Sequence, residues 1–467
     1  MLASMGCAGG MIMLDQTVVA VALASMASGL GLTTYALHGV ALVYVLGMAA
    51  FAPVGGMAAR RFGLLPTFRC GVVVFALASG ACGLTPAGAA AEPLLLLLRA
   101  LQGAGAGLML PVATTLITHL YEEHERGRAL ATYAGLAQVF FVLGPVVGAV
   151  LTQYLGWRSL FLVNVPVAAA VLWLASKARI TGEPQPVGGA LTVVRPLLVV
   201  ASVVLLVLGL YWCGAGGFTE PEPFAVLLGG AMALALAVRL VLGSPEPFLD
   251  LRLLGIRPYA VAVALTFAVQ AAQLVVLVHG TLFLRQAMHR PLLATGLCLL
   301  PLVVTLTAGT LLSGYLLDRS RSVRVPVLLG LVVATLGAVL WTLALPSLSY
   351  ARQVPGMALA GLGMGLPVPA LSAELMRAVP KDKRGDASVL RQTLRQLGGA
   401  VGLATAGALV LAANDDADDA AGIVTATATP SAFLAASAFL LAALLCAAAL
   451  LPPRRARPDR TEAPGDS

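Results

Sequence analysis

Long apolar runs, each closed by a short polar or charged stretch, recur from one end of the chain to the other. A helix needs about 20 apolar residues to cross the hydrocarbon core of a bilayer, and runs of that length are what the pattern repeats. Helices are predicted near residues 3–26, 35–58, 67–86, 93–117, 129–152 and 159–176, then 196–213 and 223–242. Six more follow near 259–283, 293–316, 325–345, 354–376, 389–412 and 430–451, which makes fourteen. Ten-residue strands of alternating polarity are absent, so a barrel is excluded. The expected fold is all-α and polytopic, with two six-helix bundles plus two additional helices between them. The expected divisions are 1–176 for the N-terminal bundle, 177–257 for a linker and two inserted helices, 258–451 for the C-terminal bundle, and 452–467 for a tail.

Composition agrees with this reading. Of 467 residues, 59% are hydrophobic and 11% charged, with a mean hydropathy of +0.93, whereas soluble domains carry about 25% charge. The net charge of +8 does not form a nucleic-acid stripe, because the basic residues sit in short loops. With a cytoplasmic N-terminus, alternate loops collect Arg60, Arg61, Arg69, Arg126, Arg128, Arg319, Arg384 and the basic tail, leaving few positive charges on the other side. The opposite loops GFTEPEP and NDDADDAAG are acidic. The expectation is a plasma-membrane protein with both termini cytoplasmic. No basic residue precedes Arg60, so the first apolar segment lacks the positive flank of a signal peptide and is expected to be retained. Six scattered cysteines without C-x-x-C spacing imply neither a disulfide framework nor a metal site.

Several residues break the apolar pattern. Among acidic residues, only Asp15 falls deep within a predicted helix. Burial penalises a charged carboxylate and a neighbouring cation favours it, and these opposed influences make a group able to load and release a proton. The alternative is a structural hydrogen bond to an adjacent helix. Arg99 opens the run Arg99-Ala100-Leu101-Gln102-Gly103-Ala104-Gly105-Ala106-Gly107 inside the fourth helix. It either meets a partner or cavity or snorkels to the interface. The GAGAG portion lies within one apolar run and lacks the preceding strand of a dinucleotide loop, so nucleotide binding is rejected and the glycines are read as a close-packing face. In the fifth helix, Gly144, Pro145 and Gly148 combine a missing backbone donor with glycine contact surfaces. Gly56-Met57-Ala58-Ala59-Arg60-Arg61 closes the second helix and Gly314-Tyr315-Leu316-Leu317-Asp318-Arg319 the tenth, a faint internal repeat. Parallel repeats of this kind enclose a central site near the membrane midplane.

Together these motifs resemble those of the major facilitator superfamily, and in particular its fourteen-helix drug:proton antiporter branch. Gly144-Pro145 and Gly148, followed by Trp157-Arg158, Phe161, Asn164 and Pro166, resemble the antiporter motif. Arg99, Gln102, Gly103 and Gly105 match the motif associated with proton transfer, and Leu14-Asp15-Gln16-Thr17 looks like the branch's first-helix motif. The entry to the thirteenth helix, with Gly385, Ser388 and Arg391 to Gly399, is similar as well. The resemblance implies export of hydrophobic, amphipathic or cationic small molecules in exchange for protons, with alternating access. Asp15 and Arg99 would couple to protons, with no cofactor beyond the proton gradient, no nucleic-acid partner, and function as a monomer within the bilayer. Three departures stand out. Ala20 and Ala24 replace the usual Asn and Pro, and the gating loop Gly56, Arg60, Arg61, Gly63 has Arg60 where the branch has an acid. The later basic pair is Leu64-Leu65. Either Asp318 carries the closing contact or gating is altered.

Gln138, Gln270 and Gln273, with His279, are polar groups inside helices that either line the pathway or bond to a neighbour. His119, Glu122, Glu123 and His124 crowd one loop without the ligand spacing of a zinc site and read as solvated charge. No catalytic group set appears, so an enzyme is not expected. Alternatives of the same fold are a proton symporter, an exporter of a single metabolite, and a transport-dead sensor.

Overall fold

The computed structural model describes residues 1–177, 191–216, 221–243, 249–320, 322–380, 383–412 and 429–451. The linker beyond Lys177, the tail 452–467, and most of the two acidic loops lie outside the described residues. The described chain is helical throughout. In order the helices are α1 (Leu2–Leu30), α2 (Thr34–Phe62), α3 (Leu64–Gly83), α4 (Ala91–Leu120), α5 (Glu123–Leu155), α6 (Ser159–Leu162), α7 (Asn164–Ser176), α8 (Leu191–Gly216) and α9 (Pro221–Leu242). They continue with α10 (Arg257–Leu282), α11 (Leu292–Cys298), α12 (Leu300–Ser320), α13 (Arg324–Ala344), α14 (Tyr350–Gly365), α15 (Pro367–Ala378), α16 (Arg384–Ala412) and α17 (Thr429–Leu450).

Twelve of the described helices, counting consecutive pieces together, are long and apolar enough to cross a membrane. The chain is a multi-pass membrane protein. Two of the fourteen expected segments fall short of that measure. α8 contributes a described apolar stretch of only Leu198–Gly209, and α16 carries Arg384, Asp386, Arg391 and Arg395 along its first half. Large side chains such as Leu77, Leu84, Trp173 and Leu343 remain 60–72% exposed, the outward surface expected of a lipid-facing bundle.

Proline positions explain where spans divide. α6 gives way to α7 just before Pro166, α11 to α12 before Pro301, and α14 to α15 at Pro367, each where a ring removes the donor a continuous helix needs. α5 nevertheless runs unbroken through Pro145. The turn between α2 and α3 is a single residue, Gly63, with φ of 93°, a conformation that L side chains avoid.

Glycines set the packing. On α4, Gly103 and Gly107 abut the backbone of α2 at Tyr44 and Met48, while Gly105 abuts α3 at Gly71 and Phe75. α4 is thereby wedged between two helices at backbone distance, the close-packing role expected of its glycine run. The same device recurs later: Gly361 and Gly365 of α14 meet α12 at Leu302 and Leu306, and Gly363 meets α13 at Ala334. α1 packs along α5 as α10 packs along α16, so pairings in the first helices repeat in the last. α8 and α9 pack on each other, and α8 also touches α2 and α16.

These contacts separate two kinds of glycine. A Cβ at Gly105 would press into the backbone of α3, so Gly105→Ala should cost about 1–3 kcal/mol by overpacking. Gly314, inside α12 with nothing near its Cβ position, should be neutral or gain up to about 1 kcal/mol as Ala. Thermal melts of the detergent-solubilised variants check this contrast, with a lower midpoint for Gly105→Ala alone.

Candidate functional site

α1 and α4 face each other across a closed polar network. Arg99 Nη1 donates to Asp15 Oδ2 at 2.7 Å and to Gln102 Oε1 at 2.6 Å, and Gln102 Nε2 donates to Asp15 Oδ1 at 2.9 Å. Arg99 Nε donates to the Val40 carbonyl of α2 at 3.3 Å, and its guanidinium lies 4.3 Å from the centre of the Tyr44 ring. Asp15 is 2% exposed, Arg99 1% and Gln102 0%. Arg99 and Gln102 stand one turn apart on α4, which puts both side chains on the face that meets Asp15. Of the two readings of Arg99, the paired one holds. Each Asp15 oxygen accepts one hydrogen bond, from Arg99 on one side and Gln102 on the other.

The fifth-helix motif lies against this network. Cβ atoms at Gly144 and Gly148 would strike Thr17 and Val18 of α1, next to Asp15 in sequence. On its other side the Pro145 carbonyl faces Gly296 of α11, so one turn of α5 touches both early and late helices. The following motif anchors the corner: Trp157 packs edge-on to Phe161, Arg158 donates to the Thr85 carbonyl at 3.0 Å, and Asn164 Nδ2 donates to Ser79 Oγ at 3.0 Å. Phe161 also approaches the Arg99 guanidinium, 5.6 Å from its ring centre.

Early and late helices meet along a seam with few polar contacts. At the end that carries the basic loops, Arg60 Nη1 donates to Asp386 Oδ1 at 3.0 Å, joining α2 to α16, and Gly56 packs on Val389 beside it. Lys383 donates to Asp250 at 2.8 Å nearby. Asp318 is exposed and forms no ion pair with another described residue, and Arg319 is exposed too. Arg60 pairs instead with a carboxylate not foreseen for it, Asp386. Arg61 lies over the Phe62 ring. Midway, Gln138 Nε2 donates to Thr307 Oγ1 of α12 at 2.8 Å. A small pocket beside that bond is lined by Phe141, Gln273, Leu277, Leu302, Leu306 and Met364. Gln270 accepts from Arg395 Nε at 2.8 Å. Towards the opposite end, His38 of α2 stacks on His279 of α10 with ring centres 5.3 Å apart, both buried.

Asp386, His38 and Thr307 were not singled out in the sequence. Asp386 lies 326 residues from Arg60, and only the mismatch of an arginine in an otherwise acidic position could have prompted a search for a displaced acid. His124 lies 3.5 Å from Glu122, both largely exposed, in keeping with a solvated loop. Among the described residues no group of three or more metal-binding side chains gathers.

Comparison with known proteins places these features. Residues 5–403 match the Major Facilitator Superfamily. The chain is 30% identical over 403 residues to the multidrug resistance protein Stp of Mycobacterium tuberculosis (strain CDC 1551 / Oshkosh), covering 86% of this chain and 74% of Stp. It is 28% identical over 403 residues to the methylenomycin A resistance protein of Bacillus subtilis (strain 168), covering 86% and 85%. It is 30% identical over 399 residues to the cephamycin export protein CmcT of Amycolatopsis lactamdurans, covering 84% and 81%. Among solved structures, a D-xylose-proton symporter superposes with a TM-score of 0.68 at 15% identity, covering 97% of this chain and 98% of that one, which speaks for the fold alone. With helices of this arrangement and a match over most of its length, the chain belongs to the Major Facilitator Superfamily of membrane transporters.

Proposed function

We propose that the chain is a proton-coupled antiporter of the fourteen-helix drug:proton branch, exporting hydrophobic or amphipathic compounds by alternating access. α8 and α9 are the two helices inserted between six-helix bundles 1–176 and 258–451, and α16 spans in spite of its charges. The basic end is cytoplasmic, both termini lie there, and the protein acts as a monomer in the plasma membrane without a cofactor. Relatives named for multidrug resistance, methylenomycin A resistance and cephamycin export support a drug exporter.

The observation that carries this reading is the enclosed Asp15–Arg99–Gln102 network. A proton on Asp15 would cancel one charge of a pair held in hydrocarbon, leaving the guanidinium unbalanced. Breaking such a buried pair costs about 3–5 kcal/mol, enough to bias two conformations of the surrounding helices. Relief comes if α1 shifts along α5, where Gly144 and Gly148 let Thr17 and Val18 slide at close range. The Pro145 carbonyl against Gly296 passes that shift to the late helices. At the cytoplasmic end, the Arg60–Asp386 pair must open for substrate to enter. The gradient supplies about 2.3 kcal/mol per charge per 100 mV in addition to its pH part.

Energised everted vesicles with a pH-sensitive dye, challenged with a panel of lipophilic antibiotics and cations, test the coupling. The native protein should discharge the gradient on adding a substrate, and Asp15→Asn should reduce that response at least tenfold while remaining in the membrane. A response that persists undiminished in Asp15→Asn rules out proton coupling through this carboxylate.

The cytoplasmic pair yields a second test. Arg60→Asp places two carboxylates together and should depress efflux severalfold. Combining it with Asp386→Arg restores the attraction and should recover most of the rate. If the double variant transports no better than the worse single one, the pair is not the closing contact.

A further inference from the structure

α16 brings two arginines, Arg391 and Arg395, one turn apart into the seam between the early and late helices. Asp15 answers Arg99, and Asp386 answers Arg60, but neither α16 arginine has a carboxylate within ion-pair distance among the described residues. Arg395 has one neutral acceptor, Gln270, and Arg391 Nε is buried with no hydrogen-bond partner. Across the seam, Tyr133 of α5 neighbours both, its ring seated on Gly9 of α1, and Tyr259 of α10 also neighbours Arg391. Gln16, two turns along α1 from Gly9 and on the same face by register, has Nε2 buried without a partner. The cluster is therefore rich in donors and poor in acceptors.

Cytoplasmic arginines are common in membrane proteins, but depth argues against a purely topological role. Arg395 lies six residues inside the predicted span 389–412, about 9 Å at 1.5 Å per residue, and its Nε is held by Gln270, eleven residues inside the predicted span 259–283. Arg391, Arg395 and Tyr133 are each half-buried between helices. Charge held inside a span without a carboxylate partner marks a candidate substrate or ion pathway.

We propose that Arg391 and Arg395, with Tyr133, bind the acidic head group of an amphipathic substrate: a carboxylate, sulfonate or phosphate. Two guanidinium groups one turn apart supply forked donors that match a planar or tetrahedral anion, with charge-assisted bonds stronger than neutral ones. The apolar body of the substrate would lie against Phe141, Leu277 and Leu306, two turns beyond Tyr133 on α5 and two beyond Gln270 on α10, where the small pocket must widen to admit it. The preference for an anion follows from charge: neither guanidinium has a carboxylate within ion-pair distance among the described residues, whereas Asp15 is already paired with Arg99. This inference rests on the exporter reading and names its substrate class.

Two aromatic probes of one frame isolate the head group: 8-anilino-1-naphthalenesulfonate, and N-phenyl-1-naphthylamine, which lacks the sulfonate. Equilibrium dialysis against the solubilised full chain, with empty micelles subtracted, should show the sulfonate bound at least about tenfold more tightly, as expected of charge-assisted hydrogen bonds. Arg391→Gln and Arg395→Gln should each remove most of that preference, and Arg395→Lys should keep part of it. The Gln variants should melt no lower than the native protein, because each removes an uncompensated charge. Equal binding of the two probes by the native protein overturns the proposal without recourse to any variant. So does a preference that survives both Gln substitutions, or a melting temperature lowered by both. Binding in detergent needs neither gradient nor transport. An intact sulfonate preference without any efflux therefore defeats the exporter reading alone, and efflux without the preference defeats this one alone.

Discussion

Charge in hydrocarbon has to be answered, and the answer given to Arg99 organises the first six helical segments. Its guanidinium takes Asp15 from α1, the Val40 carbonyl and Tyr44 ring from α2, Gln102 from its own helix and Phe161 from α6. No single helix could supply that set. The glycines of α4 are what let it form, since backbone-distance packing on α2 and α3 brings the short Asp15 carboxylate and the Val40 carbonyl within reach of one side chain. A buried pair assembled this way balances its charge only while the carboxylate is ionised.

The late helices use the same architecture with a different electrostatic solution. α14 is wedged by glycines between α12 and α13 as α4 is between α2 and α3, yet no Asp–Arg pair lies inside it. Instead the unbalanced charge sits on α16 and faces the seam. Repeated packing thus carries unlike charge: the early helices hold a neutral Asp15–Arg99 pair, and α16 presents arginines without a carboxylate partner among the described residues.

Much of this could be read in the chain. The apolar runs marked nearly every helix, and the lone Asp15, the deep Arg99 and the glycines at 103, 105, 144 and 148 pointed to the residues that the structure gathers at the α1–α4–α5 contact. Local spacing was enough there, because Arg99 and Gln102 share a helix face and the glycines announce close packing. What stayed hidden depends on contacts between distant segments. The partner of Arg60 lies on α16, the partner of His38 on α10, and Thr307 meets Gln138 across the seam. Gln138, Gln270 and Gln273 were equivalent in the sequence, and the fold separates them into a bond across the seam, an acceptor for Arg395 and a pocket wall. Periodicity says which face a residue occupies but not which helix that face will meet.

The arginine at position 60 departs from the motif, yet its charge is answered by Asp386. Coulomb attraction depends on the product of two charges, so a pair survives when both signs reverse. Position also favours the reversed form. Arg60 lies in the last turn of α2, where the carbonyl end of a helix favours a cation, and Asp386 lies in the first turn of α16, where the amide end favours an anion. An acid at position 60 would face the negative end of α2 and lean on its partner to offset that field. With arginine there, both helix dipoles work with the ion pair. A partly exposed contact of this kind is modest in strength and readily opened.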